Sequence, residues 1–580
     1  MKQNLFLGVL GLLFATQPQF GLNAEPNTIA LLSSPQQTGN TKQVNISAST
    51  PQPPFLRGDK GGIGGLRGDL SLSEGVLKDT ASHISFRTAV NKKKLNSQHN
   101  NKHFNLPPTQ ITQFSTFPSK AKTNPKSPQT VACRRELAQD IQTIVNRPQF
   151  LKSRWGIVIK NLSTGETVYN LDGDKFFIPA SAVKLFTTAA ALNELNADFR
   201  ITTPIFATGE LPDLDTVRIK GKADPTITLE ILKNIVQQFK VLGISSIKKL
   251  IIDDSYFTRP TINHTWEWLD TYYYYGTAVN STILNQNTVK LTLVPTGITQ
   301  SVKLQWENPI AQRQWQIFNQ GVTTASGSDY NVEIDGVRGK NILNIRGELP
   351  QDNGEDVWDL AVIDPANYFL ENFRTLLSNE GINVTQGITT TDTHSYPGER
   401  IITQMYSSPL KALMEEINQD SNNLYAEVLL KVLAKELNAD NDIEALENSL
   451  NKLEIDSDSY NLVDASGLSR HNLVTPEALV RVLTVMNEHP EREIYRQSLA
   501  EAGTNGTLKR RLRNTELQNN LWGKTGSLSK VITLSGYLKL RDRELLALSI
   551  LVNNFNNKNR IARQAIDEML LLLPKFETCL

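Results

Sequence analysis

The sequence predicts an α+β chain, an antiparallel sheet flanked by helices and interrupted by a large, mostly β insertion. Three observations lead there. Early on, Glu136, Leu137, Ile141, Ile144 and Val145 keep helical spacing, and Trp155 to Ile159 then forms a strand that turns at Ser163-Thr-Gly165 and returns through Val168 and Tyr169. At the far end, Val531 to Leu538 and Glu544 to Val552 are β-rich runs separated by Arg541-Asp-Arg543 and followed by an amphipathic helix from about Lys558 to Leu573. Between these halves the character changes. From Arg200 to about Gly398, Val217 to Lys220, Lys248 to Ile252, Val289 to Val294, Val302 to Trp306 and Asn341 to Ile345 read as strands, and helices recur only at about Thr228–Leu242 and Pro365–Glu380.

These shifts divide the 580 residues. Residues 1–24 read as a secretory signal: Lys2, the apolar run Leu5 to Phe14, and a small-residue exit at Ala24. The run is too short to span a bilayer unless it stays as an anchor. Leu22 is an imperfect cleavage context, and an uncleaved segment would give the N-terminus a peripheral membrane contact. Either way the chain is exported, to the periplasm or cell envelope. Residues 25–130 form a low-complexity linker rich in Gln, Ser, Thr, Asn, Pro, Gly and Lys, which cannot bury enough surface to offset its ordering entropy. Its near-repeat, Leu56-Arg-Gly-Asp59 and Leu66-Arg-Gly-Asp69, is a duplicated spacer. Residues 131–199 and 399–580 make up the helix-flanked sheet, and 200–398 the inserted accessory region, in two subdomains. A net charge of +1 argues against a nucleic-acid partner. Cys133 and Cys579 sit at the two ends of the folded region, where an oxidising compartment permits a bridge but inert thiols fit equally well.

Within this frame stand three short runs, Ser181-Ala-Val-Lys184, Ser421-Asn-Asn423 and Lys524-Thr-Gly526. The Ser-x-x-Lys spacing alone is uninformative, since it recurs at six other places, among them Ser408/Lys411 and Ser527/Lys530. Ser181 differs in context. Ile178-Pro179-Ala180 leads into Ala182, Leu185, Phe186, Ala189, Ala190 and Leu192, a small-residue apolar stretch that reads as a buried helix opened by Pro. Lys184 then reaches the Ser181 hydroxyl from one turn on, in surroundings dry enough to leave a neutral amine as base.

The second run lies in Pro409 to Leu437, where Ser407 or Ser408 caps a first helix that breaks at Asn418-Gln-Asp420 before another begins through Leu424. Such a junction can aim Ser421 and Asn423 into a cleft, Ser421 as proton relay and Asn423 as a hold on Lys184 and a substrate carbonyl. The third run, Trp522-Gly-Lys-Thr-Gly-Ser-Leu528, reads as a sheet-edge strand. There Lys524, Thr525 and Ser527 offer a charge and two hydroxyls to a terminal carboxylate, Gly526 allows close backbone approach, and the Ser181 and Ser527 N–H groups form an oxyanion hole. A phosphate-binding loop is excluded, because the upstream Gly and following helix it needs are absent.

The ordered set resembles the class C low-molecular-mass penicillin-binding proteins, the D-alanyl-D-alanine carboxypeptidase/endopeptidase family, over about residues 131 to 575. Gly221-Lys-Ala-Asp-Pro225 resembles a family segment with Ala223 in place of the usual Gly. Trp266-x-Trp268, Tyr274-Tyr-Gly276 and Leu284-Asn-Gln-Asn287 resemble a stretch reaching over the cleft, and Asp464-Ala-Ser-Gly-Leu-Ser-Arg470 and Gly506-Thr-Leu508 resemble two further loops. The resemblance implies a β-lactamase/transpeptidase-like fold and an acyl-enzyme on Ser181 that acts on the D-Ala-D-Ala end of peptidoglycan stem peptides. It also implies cleavage of cross-links and acylation by penicillin and other β-lactams, with no metal or organic cofactor. A β-lactamase uses the same three runs, and Glu447-Asn-Ser-Leu-Asn451 spells a deacylating-loop pattern, but Ile443, Leu446, Leu450 and Leu453 make that segment a helix. The other alternative is a catalytically idle cell-envelope binding protein.

Overall fold

The computed structural model describes residues 128–393, 395–540 and 544–579. The signal segment, nearly all of the linker and Arg541-Asp-Arg543 lie outside them. The first helix, Pro128–Val145, puts Leu137, Ile141 and Ile144 on its buried face. The hairpin follows as Arg154–Asn161 paired with Thr167–Leu171. These strands join a six-stranded, wholly antiparallel sheet in the order Ala500–Glu501, Leu521–Leu528, Val531–Lys539, Leu545–Asn553, Arg154–Asn161, Thr167–Leu171.

Both faces of that sheet are covered, which is why its central strands are almost continuously apolar. Ile157, Ile159, Ile550 and Val552 face the first helix and the C-terminal helix Asn559–Leu570, whereas Val158, Ala547 and Leu551 face the core around the buried helix Lys184–Leu195. Alternation along one strand thus feeds two separate cores. Ala500–Glu501 pairs only with Gly523 and Trp522, so the Lys524–Ser527 half of the next strand is a true sheet edge.

Residues 202–406 build a third core. A five-stranded sheet runs in the order Asn383–Thr390, Ser246–Asp253, Asp213–Lys220, Thr202–Glu210, Arg400–Tyr406. Its first three strands are parallel, which requires crossovers, and the helix Leu229–Val241 joins Asp213–Lys220 to Ser246–Asp253. Three smaller sheets of two or three strands occupy residues 288–361. The arrangement is more mixed than the strand-rich sequence suggests, because the two helices at Leu229–Val241 and Pro365–Asn379 carry much of the apolar contact through Leu232, Phe239, Phe369 and Phe373.

The cap expected of Ser407 or Ser408 is not formed. Pro409 precedes the helix Leu410–Asn418 without a side-chain cap, and the Ser407 hydroxyl instead accepts the Ile201 N–H at 2.9 Å and donates to Ser408 O at 2.7 Å. A tertiary partner took a group that local rules assign to the helix end.

Cys133 and Cys579 are bridged, with Cα atoms 6.1 Å apart and a sequence separation of 446. The bridge fastens the first helix to the C-terminal turn, and Arg134 Nε adds a 2.6 Å hydrogen bond to Cys579 O. Cross-linking so long a loop mainly restricts the unfolded chain. Replacing both cysteines by serine is expected to cost about 2–4 kcal/mol and lower the thermal midpoint by several degrees. An unchanged midpoint in non-reducing calorimetry would show that the bridge adds nothing to stability.

Candidate active site

The first run does not start as an α-helix. Ala180–Val183 is a tight 3-10 turn, and the α-helix begins at Lys184. Ala180 holds φ +48° and Ser421 φ +64°, two non-glycine residues in the left-handed region beside the same cleft. Strain of this kind, of order 1–3 kcal/mol each, persists where surrounding packing fixes it. Two glycines make that packing feasible. A Cβ on Gly467, itself at φ +77°, would fall 1.9 Å from Ala180 O. One on Gly526 would fall 2.2 Å from Thr533 Oγ1 and 2.9 Å from Pro179 O, so the edge strand lies directly against the Ser181 turn.

The five residues singled out as catalytic converge. Lys184 is fully buried, and its Nζ donates to Ser181 Oγ at 3.1 Å, Asn423 Oδ1 at 2.6 Å and Ser466 O at 2.6 Å. Burial brings its pKa down to about 7, against the opposing pull of the Asp464 and Glu427 carboxylates. Lys524 is also fully buried, donating to Ser421 Oγ at 2.8 Å and Thr525 O at 2.9 Å. Its desolvation, reinforced by the Lys184 charge and partly offset by Asp420, holds it well below the usual ammonium range. The amine expected to face a substrate carboxylate is instead directed at Ser421 Oγ and Thr525 O.

Asn423 opens the helix Asn423–Glu436, with Asn422 as its cap through Tyr425 N. One Asn423 amide N–H goes to Tyr275 O at 2.8 Å, and Asn422 Nδ2 meets Gln286 Oε1 at 2.9 Å. Two of the three segments expected to reach over the cleft thus touch the second run. Thr525 Oγ1 donates to Thr507 Oγ1 at 2.8 Å, bringing the Gly506-Thr-Leu508 loop to the third run. Ser527 Oγ accepts from Arg563 Nη2 at 3.1 Å and Asn559 Nδ2 at 3.3 Å. Glu447 lies within the helix Asp442–Lys452, as its apolar spacing predicts. Among the described residues no group of three His, Cys, Asp or Glu side chains could hold a metal ion.

Three supports of the site were given no role by the sequence, although Asp464 and Ser466 lie in a loop quoted above for its resemblance. Glu427, four residues past Asn423 and on the same helix face, is buried and accepts the N–H groups of Ala465 (3.1 Å) and Ser466 (2.8 Å). Its burial and the Asp464 charge push its carboxyl well above the ordinary range. Asp464 accepts Gly467 N, Ser469 N, Asn472 Nδ2 and Trp266 Nε1 between 2.7 and 3.0 Å. Together they fix the loop whose Ser466 carbonyl receives Lys184, a backbone role with no residue signature. The spacing Asn423/Glu427 is the one signal that could have exposed Glu427.

A family model described as the D-Ala-D-Ala carboxypeptidase 3 (S13) family matches residues 137–574. A D-alanyl-D-alanine carboxypeptidase from an Actinomadura species is 29% identical over 450 residues, covering 74% of this chain and 83% of that protein. The D-alanyl-D-alanine carboxypeptidase DacB of Haemophilus influenzae is 25% identical over 417 residues, 70% of this chain and 86% of that one. The crystal structure of H. influenzae penicillin-binding protein 4 (dacB) superposes with a TM-score of 0.67 at 23% identity, covering 76% of this chain and 99% of that chain, and so shares the fold. With a motif order, a packed site and a family match that coincide over one span, the chain belongs to the D-Ala-D-Ala carboxypeptidase 3 (S13) family of serine-type hydrolases.

Proposed function

We propose that the protein is an exported D-Ala-D-Ala carboxypeptidase and DD-endopeptidase of the periplasm or cell envelope. It acts on peptidoglycan stem peptides through an acyl-enzyme on Ser181 and is acylated by penicillin. The observation that carries this reading is the dry Lys184 amine 3.1 Å from the Ser181 hydroxyl and bound to Asn423. Ser181 Oγ adds to the penultimate D-Ala carbonyl as its proton passes to Lys184, and the Ser181 and Ser527 N–H groups take the developing oxyanion. Ser421, in contact with Lys524, relays the proton onward, giving its own to the departing D-Ala amine and taking the one Lys184 received, so Lys184 is neutral again. Water then attacks the ester as Lys184 takes its proton and passes it to Ser181 Oγ when the acyl bond breaks, which restores both residues. In a cross-link the leaving amine belongs to a neighbouring stem peptide, so one chemistry serves both activities. Residues 200–398 are read as an accessory insertion in two subdomains that adds recognition.

Two experiments test the reading. A fluorescent penicillin is expected to label the parent stably and the Ser181→Ala variant not at all, and only the parent should release D-Ala, or monomers, from purified cross-linked muropeptides. Rapid loss of the label without muropeptide products would mark a β-lactamase; no label would mark an idle binder.

The pH dependence follows from Lys184. Its folded pKa is lowered to about 7, so the neutral base form predominates above that value and is lost below it. Acylation rate constants measured from about pH 5 to about pH 9 should fall about tenfold per unit below the midpoint. A flat profile through that region would remove Lys184 as the base.

A further inference from the structure

A carboxylate that leaves water for two hydroxyls alone gives up charge solvation without regaining it. The third run offers two hydroxyls. Its own cation does not serve, because Lys524 is buried with Nζ directed to Ser421 Oγ and Thr525 O. Side chains alternate along a strand, so Thr525 and Ser527 lie on the face opposite Lys524. The C-terminal helix Asn559–Leu570 meets that face. Asn559 and Arg563, one turn apart on one side of the helix, both hydrogen-bond the Ser527 hydroxyl. Asn559 Nδ2 also reaches Leu528 O at 3.3 Å. The helix is held there by Ala562, Ala565, Ile566 and Met569, all buried in the core beneath the sheet. Arg563 is half-buried and keeps its guanidinium beside Ser527 rather than trailing in solvent.

We propose that Arg563 is a specificity-determining residue whose guanidinium, together with the Thr525 and Ser527 hydroxyls, receives the terminal carboxylate of the acyl-donor peptide. The inference rests on the carboxypeptidase reading above and adds the group that reads the carboxylate beside the scissile bond. Arginine suits the role because its planar fork binds carboxylates with geometric selectivity and its charge survives partial burial. A cross-link whose leaving amine also bears a carboxylate on the adjacent carbon would meet the same guanidinium, whereas one joined through an amine without that carboxylate would not.

The test uses the full protein, its Arg563→Gln and Arg563→Lys variants, and two peptides that differ only at the end, diacetyl-Lys-D-Ala-D-Ala and its C-terminal amide. Benzylpenicillin methyl ester serves as a second probe without a carboxylate. Arg563→Gln is expected to lose about 10- to 100-fold in kcat/KM on the acid. On the amide and in acylation by the ester it should stay within about threefold of the parent, and Arg563→Lys should recover part of the loss on the acid. A structural role would depress all three probes together, which overturns the inference. So would an Arg563→Gln variant that matches the parent on the acid. A parent that releases no D-Ala and takes no penicillin overturns the underlying reading as well, and is told apart by the parent's own rates.

Discussion

The site is organised by the burial of one lysine. Taking an ammonium out of water is costly unless hydrogen bonds and nearby charge replace its hydration. Lys184 is given a hydroxyl, an amide oxygen and a backbone carbonyl, with two carboxylates at greater remove. That set keeps the amine in place without fully restoring its charge, so it is poised between its two protonation states near neutral pH. A stronger countercharge in direct contact would hold the proton and abolish the base; none would leave the amine unanchored. The helix Asn423–Glu436 contributes at two levels, Asn423 touching the amine and Glu427 holding the loop that supplies Ser466 O.

This arrangement needs three distant pieces of chain at van der Waals distance. The antiparallel sheet fixes the edge strand, and Gly526 lets that strand lie on the Ser181 turn. Gly467 does the same from the Asp464 loop. The Ala180 backbone is held in an uncommon conformation between these neighbours, and Ser421 takes another beside the same cleft. On the far side of the sheet, the C-terminal helix and the Cys133–Cys579 bridge close the second core and deliver Asn559 and Arg563 to Ser527.

What the sequence disclosed and what it hid follow from how each group acts. Ser181, Lys184, Ser421, Asn423 and Lys524 were legible as a group because each stands in one of three short runs, and the fold brings Lys184 to Ser181 and Asn423 and Lys524 to Ser421. The hairpin at Arg154–Leu171 and the strands Val531–Lys539 and Leu545–Asn553 were legible because their pairings are local. The parallel pairing of Ser246–Asp253 with Asn383–Thr390 was not, since its partners are far apart in the chain. Glu427 reads as an ordinary helix glutamate until Ala465 and Ser466 are seen to donate to it. Ser407 fits a capping rule, yet Ile201 N claims its hydroxyl. Whether the two cysteines are bridged is a question of Cα separation, which only the fold answers.

The central claim, that desolvation makes Lys184 a base at neutral pH, is tested most directly by titrating that one amine. NMR of protein labelled at lysine side chains, with the Lys184 signal assigned by its absence in Lys184→Arg, follows its protonation. The account predicts a midpoint close to 7. A midpoint near the ordinary lysine value of about 10.4 would contradict it.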